Sequence, residues 1–216
     1  MLVVPYNCSV TTRVGFILAV VGTIGTVLGI SLTIHYRRRS DHFDRLRKSL
    51  DWSDLQVAAS ELARRILTEF GSPSAIVTPG LAGATIANLV SDQFTGQPPV
   101  YVGISTWKDA PHGKSATDSY ADFDTGKWLV SIPRDLISYK SAKILILDDF
   151  VMSGKFLETL KDWLVSEGMK PEQIGSASVA VTKMAIKLEM APDFYWWTAD
   201  DDEFYWPWGK AQRRSY

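Results

Sequence analysis

Residues 144–155 read Ile144-Leu145-Ile146-Leu147-Asp148-Asp149-Phe150-Val151-Met152-Ser153-Gly154-Lys155. Four consecutive aliphatic side chains, Ile144 to Leu147, suit a strand buried on both faces, as in the middle of a parallel sheet. Two carboxylates follow at the expected C-terminal end of that strand, and a short loop through Ser153 and Gly154 opens a helix. In open parallel sheets, ligands bind outside the carboxyl ends of the strands. There Asp148 and Asp149 can face sugar hydroxyls or a metal ion, while the amides of Met152, Ser153, Gly154, Lys155 and Phe156 can cradle a phosphate at the helix N-terminus. One geometry thus serves both ends of a ribose phosphate. Two other readings compete. A P-loop requires G-x-x-x-x-G-K-[ST], which does not occur upstream, and wants its first glycine where Asp149 stands. An Asp pair that merely caps the helix rarely needs two carboxylates after an apolar run.

On either side of this stretch the chain alternates. Ser53 with Gln56 forms a capping box ahead of Leu55, Ala59, Leu62, Ile66 and Phe70, which share one helical face, and the helix stops at Gly71 and Pro73. A strand over Ser74–Thr78 precedes a helix from about Leu81 to Phe94. Strands follow over Val100–Thr106 and Lys127–Ile132, with a polar stretch, Lys108–Asp124, between them. Beyond the central strand, Lys143–Leu147, come a helix from Ser153 to Glu167 and a strand from Ile174 to Val181. Strands alternating with helices of about 10–15 residues predict an α/β fold, a mostly parallel sheet flanked by helices. No Pro-, Gly- or Ser-rich linker interrupts residues 51–216, which are expected to form one domain. His112, in the polar stretch, has no neighbours that suggest a triad.

The N-terminal part is different in kind. Val14 to Ile34 are 21 residues without a charge, and at about 1.5 Å per residue they reach roughly 31 Å, a bilayer core. They predict a transmembrane helix. A buried core helix and a signal peptide are the alternatives; a signal peptide carries its positive charge ahead of the apolar stretch, whereas here Arg37, Arg38 and Arg39 follow it. Residues 35–50 form a basic juxtamembrane segment. The positive-inside rule then leaves residues 1–13 as a short extracytoplasmic tail and the C-terminal domain in the cytoplasm, a single-pass arrangement. Gly25 and Gly29 have the small-xxx-small spacing that permits a homodimer, a weak signal because glycines are common in such helices.

Composition narrows the partners. Against 24 Asp and Glu stand 23 Lys and Arg, a net charge of −1. That balance gives no reason to expect nucleic-acid binding. With Cys8 as its only cysteine, the 216-residue chain has neither a disulfide framework nor a cysteine zinc site. Five of its eight tryptophans, Trp163, Trp196, Trp197, Trp206 and Trp208, fall in the last quarter. With Tyr195, Phe204 and Tyr205 they supply flat apolar faces of the kind a nucleobase needs. Equally, most of these rings can be the core of a small antiparallel hairpin turning at Thr198–Asp202.

The strand, acidic pair, two apolar residues and Ser-Gly loop resemble the signature of the type I phosphoribosyltransferases, and over about residues 53–210 the chain looks most like their 6-oxopurine branch. The resemblance implies phosphoribosyl pyrophosphate and a nucleobase or nucleotide as partners, with magnesium as cofactor, reached by Asp148 and Asp149 indirectly through the substrate. Thr78-Pro79-Gly80 resembles the pyrophosphate loop, whose peptide is cis in that family; a cis Thr78–Pro79 bond is therefore expected, at the low intrinsic cost of an X-Pro bond. Ser119-Tyr120 resembles the Ser-Tyr pair of the mobile active-site loop. Lys183 resembles the residue that contacts the base's exocyclic oxygen, although a merely solvated lysine is a comparable reading. Tyr195 and Trp196 resemble the segment that stacks on the purine, and Phe204 to Gly209 the closing aromatic hood.

Three positions depart from that pattern. Met152 stands where the 6-oxopurine enzymes carry an acid, and a thioether cannot exchange protons. Phe156 replaces a threonine of the phosphate cradle, and Pro79 removes a cation and an N–H from the pyrophosphate side. Two functions remain in play: a membrane-anchored phosphoribosyltransferase, and a nucleotide or phosphoribosyl pyrophosphate sensor that has lost turnover. A purely structural membrane adaptor leaves the Asp148-Asp149 loop unexplained.

Overall fold

The structure is a computed structural model that describes residues 49–108, 119–125, 128–200, 202 and 204–211. The expected tail, transmembrane span and nearly all of the basic segment lie outside these residues, as does His112. Among the described residues no helix is long and apolar enough to cross a membrane.

In chain order the first elements are α1 (Trp52–Glu69), β1 (Ala75–Thr78), α2 (Leu81–Ser91), β2 (Val100–Val102) and β3 (Ile104–Trp107). Next come β4 (Tyr120–Asp124), β5 (Trp128–Pro133), a 3-10 turn (Arg134–Tyr139), β6 (Ile144–Val151) and α3 (Lys155–Ser166). The chain closes with β7 (Ile174–Thr182), the single turn α4 (Lys183–Lys187), β8 (Phe194–Ala199) and the short strands β9 (Tyr205–Trp206) and β10 (Gly209–Lys210).

Five strands form a sheet in the order β2-β1-β6-β7-β8, and every neighbouring pair is parallel. The expected parallel α/β architecture is thus present. Because helices and a second sheet cover both faces, the central strands open on apolar runs, Ala75–Val77 and Ile144–Leu147. Ile76, Leu145 and Leu147 join one core with Leu55, Leu62 and Ile66 of α1 and Ile86 and Val90 of α2. Their neighbours Ala75, Val77, Ile144 and Ile146 face the other, with Leu157, Leu160 and Leu164 of α3 and Val130 and Ile132 of β5. Leu62 is almost wholly buried, so Leu62→Ala would cost about 2–5 kcal/mol.

Local chemistry moves several boundaries. The cap of α1 is Asp51, which accepts from the Asp54 amide while the Asp54 carboxylate accepts from its own, so the capping box lies two residues before the expected Ser53–Gln56. An aspartate at that position is as good a cap as serine and carries charge toward the helix dipole. The expected strand Val100–Thr106 is two strands in different sheets, divided at Gly103. A Cβ on Gly103 would lie 2.5 Å from Ile132 Cδ1 and 3.1 Å from the carbonyls of Thr78 and Pro79. Only glycine lets the backbone pass so close, and the chain turns there from the parallel sheet into an antiparallel one ordered β3-β5-β4. Strand β4 falls within the stretch expected to be polar loop; Ala121 and Phe123 point inward and Asp122 and Asp124 outward.

The aromatic C-terminus is also rearranged. Phe194–Ala199 pairs parallel with β7 as an edge of the main sheet, and does not form a hairpin turning at 198–202. The hairpin is the smaller β9–β10, turning at Pro207-Trp208, with Trp206 and Trp208 stacked at 5.3 Å between centroids. Its Phe204 packs edge-on against Phe150, Trp197 and Trp206.

Candidate functional site

The strand order reverses between β1 and β6. From β1 the chain crosses by α2 to β2 on one side; from β6 it crosses by α3 to β7 on the other. Loops leaving neighbouring strands in opposite directions open a crevice at the strands' carboxyl ends. A cavity of about 300 Å³ lies there, lined by Pro79 after β1, by Asp148, Phe150 and Val151 of β6, and by Met152 to Leu157 of the following loop and helix. Ser105, Thr125, Trp128 and Val130 of the antiparallel sheet complete its wall.

Strand β6 continues through the acidic pair to Val151, so the carboxylates sit within the strand and not at its exposed end. Successive side chains of a strand diverge, and the two are not equivalent. Asp148 lines the cavity, whereas Asp149 is only 9% exposed and does not. The Asp148 carboxylate accepts the Asp149 backbone N–H at 2.9 Å. Burial first, and then the negative charge of Asp149, hold the Asp148 carboxyl well above the usual carboxylate range. Burial also raises Asp149, partly offset by hydrogen bonds from Asp148 and from backbone amides. Two carboxylates taken out of water together resist losing both protons.

The helix after β6 starts without a side-chain cap. Gly154, at φ +76°, is the residue before α3, and no side chain accepts from the first amides. The N–H groups of the first turn have no partner within the helix and carry the positive end of its dipole. Gly154 is required twice over, because its φ is left-handed and a Cβ would lie 2.0 Å from the Met190 carbonyl oxygen. The loop is tied from below by Thr182, whose hydroxyl donates to the Met152 carbonyl and accepts from the Ala185 amide at 3.1 Å.

On the β1 side the peptide between Thr78 and Pro79 is trans, as is every peptide among the described residues; the expected cis bond is not present. Trans is the lower-energy form of an X-Pro bond, and here both carbonyls are held. Gly103 N–H donates to the Thr78 oxygen at 2.7 Å, and Ser105 Oγ to the Pro79 oxygen at 2.7 Å. Of the three loop residues, Pro79 alone lines the cavity; Thr78 is buried and Gly80 precedes α2.

Other expected residues are not brought to this cavity. Lys183 follows β7 and forms an ion pair with Asp200. Tyr195 and Trp196 lie near the start of β8, with Tyr195 level with Ser178 in the middle of β7. Trp196 Nε1 donates to Glu61 of α1 at 2.9 Å, and the Tyr195 carbonyl accepts from Arg65 at 2.9 Å. These rings pack on the two cores from a parallel edge strand and not from the expected hairpin. Ser119 precedes β4 and Tyr120 begins it, their carbonyls accepting from Arg134 N and Nε. Sequence reasoning missed Trp128, Thr125 and Ser105. For Trp128 a signal existed in a large aromatic shortly after a Thr-Gly pair in the sequence, but nothing local says which way β5 faces.

The phosphoribosyl transferase domain family matches residues 50–212. In fold the chain is similar to the purine phosphoribosyltransferase of Pyrococcus horikoshii, with a TM-score of 0.55 at 20% identity over 78% of this chain and 97% of that one. It is also similar to a hypoxanthine-guanine phosphoribosyltransferase of Bacillus anthracis, with a TM-score of 0.50 at 17% identity over 68% of this chain and 78% of that one. Comparison with curated protein sequences gives no match. At these identities the likeness to the solved structures is one of fold.

Proposed function

This chain belongs to the phosphoribosyl transferase domain family, and on that premise we propose that it transfers a phosphoribosyl group between phosphoribosyl pyrophosphate and a purine-like nucleobase at a membrane surface. The observation that carries the reading is the switch-point cavity, where Asp148 and the uncapped first turn of α3 face the same space. Asp148 accepts hydrogen bonds from the ribose hydroxyls, and the amides of residues 153–156 hold the 5-phosphate. The C1′–O bond to pyrophosphate breaks, its electron pair leaving with pyrophosphate, as the C1′–N bond to the base forms and the proton of that base nitrogen passes to solvent. No protein nucleophile is needed, since positioning and electrostatics stabilise the developing ribosyl cation. Asp149 lies behind Asp148, buried and outside the cavity wall.

Magnesium fits this site only as a substrate-held ion. No cluster of three His, Cys, Asp or Glu occurs among the described residues, and the one carboxylate in the wall is Asp148. Magnesium typically takes one or two carboxylates together with phosphate oxygens; bound so, it would neutralise charge on the leaving pyrophosphate. Membrane attachment rests on the uncharged span at 14–34 and the basic residues after it.

A second reading, a sensor without turnover, is favoured by Met152, a cavity residue with no acid–base chemistry. Calorimetry of the full chain with phosphoribosyl pyrophosphate plus magnesium, and with purine and pyrimidine monophosphates, is expected to show binding of both classes. Product formed from a nucleobase and phosphoribosyl pyrophosphate supports the transferase. Binding without product selects the sensor, and no binding of either class overturns both.

A further inference from the structure

We propose that the aromatic edge formed by Trp52, Tyr205 and Trp208 lies on the headgroup region of a phospholipid bilayer, an inference that rests on the reading of Val14–Ile34 as a membrane span. Among the described residues the exposed large aromatics are Trp52, Trp128 and Tyr205. Trp128 lines the cavity. The other two lie beside Leu50, where the described core begins: Trp52 opens α1 and is 54% exposed, and Tyr205 is 47% exposed. Leu50 N–H donates to the Tyr205 carbonyl at 2.8 Å, which ties the entering chain to the β9–β10 hairpin. The half-buried Trp208 meets the Trp52 ring at 5.8 Å and stacks on the buried Trp206 at 5.3 Å. Trp52 thus stands on a packed aromatic base.

Indole and phenol rings favour the boundary between water and hydrocarbon, because each joins a flat apolar body to a polar N–H or O–H. Residues 35–49 connect the uncharged span to Leu50, and even fully extended they reach no more than about 55 Å. The tether therefore joins the domain at this edge, and a tethered face needs only modest affinity to stay on its surface. Asp51 and Asp54 flank Trp52, their carboxylates accepting from each other's backbone amides. Two carboxylates on this edge oppose anionic headgroups, so the rings make the contact and zwitterionic lipid suffices.

All eight tryptophans follow residue 51 and the span has none, so tryptophan emission reports on the domain alone. The full chain is reconstituted in phosphatidylcholine vesicles whose acyl chains carry bromine either just below the headgroup or near the chain end. Shallow bromine is expected to quench part of the emission, and deep bromine distinctly less. Trp52→Phe keeps a ring and removes its emission, and should lower the quenched share while the chain stays with the vesicles. Trp52→Ser combined with Tyr205→Ser should free Trp208 from the lipid as well, leaving emission equal to that in vesicles without bromine. Parent emission unaffected by shallow bromine, equal quenching by deep bromine, or undiminished quenching in the double variant would each overturn the docking. Emission that changes with protein concentration and not with bromine would give the edge to a second copy of the chain and overturn it too. Should the double variant fail to fold, Trp52→Phe decides alone, an undiminished quenched share rejecting the docking. A parent chain washed from the vesicles at alkaline pH would instead remove the membrane span, and the docking with it.

Discussion

At the scale of single residues the acidic pair behaves as two different groups. Asp148 faces the cavity and its pKa is raised by burial and by Asp149. A carboxylate that must be ionised to accept hydroxyl hydrogen bonds stops doing so as pH falls through its pKa. Ligand affinity is therefore expected to fall on acidification earlier than an ordinary carboxylate would allow. Asp149→Asn removes the neighbouring charge, lowers the Asp148 pKa and should move that acid limb to lower pH, measurable by calorimetry across a pH series. Asp148→Asn should cost the ligand about 10- to 150-fold in affinity, the worth of a hydrogen bond to a charged acceptor. Stability runs the other way. A folded-state pKa above the unfolded one contributes stability that is full below the unfolded carboxylate value and lost as pH rises through the folded pKa. Above the folded pKa the ionised pair is a burden, and there Asp148→Asn should raise the melting temperature by about 2–4 °C, what roughly 1 kcal/mol gives in a domain of this size. That gain should vanish in acid; a melting temperature equal to the parent's at every pH would mean that Asp148 is solvated.

Between elements, two glycines and a threonine fix the packing around the cavity. Gly83 lies in the first turn of α2, where a Cβ would be 2.0 Å from Thr78 Oγ1 and 3.2 Å from Asp148 Oδ1. Gly83→Ala gains about 1 kcal/mol of helix propensity and loses about 1–3 by overpacking a stiff β-branched side chain. The net is expected to be a small loss of stability with a larger loss of ligand affinity, because the shift falls on Asp148. Gly154→Ala has no such compensation, since its φ is left-handed and the Met190 backbone blocks the Cβ; α3 should lose its position, and chemical denaturation should show a cost above about 2 kcal/mol. Thr182→Val tests the tie between α4 and the loop before α3. Losing a cap costs about 1 kcal/mol, and freeing the Met152 carbonyl should weaken ribose 5-phosphate binding, read by calorimetry.

For the whole molecule, the described core begins at Leu50, and the uncharged span lies well before it. Deleting residues 1–36 is expected to release a folded domain into the aqueous fraction, while the full chain partitions with membranes. If the truncated chain aggregates and the full chain stays in solution without detergent, Val14–Ile34 belongs to a core and membrane attachment is excluded.

The parallel sheet was legible because β1, β6 and β7 are buried on both faces, and double burial writes itself as an uninterrupted apolar run such as Ile144–Leu147. The loop between β6 and α3 was legible too, since a Ser-Gly turn between strand and helix is a local pattern. β4 could have been read, because Tyr-Ala-Asp-Phe-Asp alternates with period two. What the sequence by itself determined, then, was which segments are buried and where the chain turns. Tertiary structure alone decided the partners. Phe194–Trp197 is as apolar as a hairpin strand or as a parallel edge, and the choice depends on the fit of α1 and β7 against it. Nor does any local feature show that β6 runs on through two aspartates. That continuation depends on the register with β7, which places Asp148 in the wall and turns Asp149 into the interior. Trp128 lines the cavity because Gly103 lets β3 leave the main sheet and carry β5 across the crevice. Side-chain direction in a strand follows from register, and register is a property of pairs of strands that no single strand encodes.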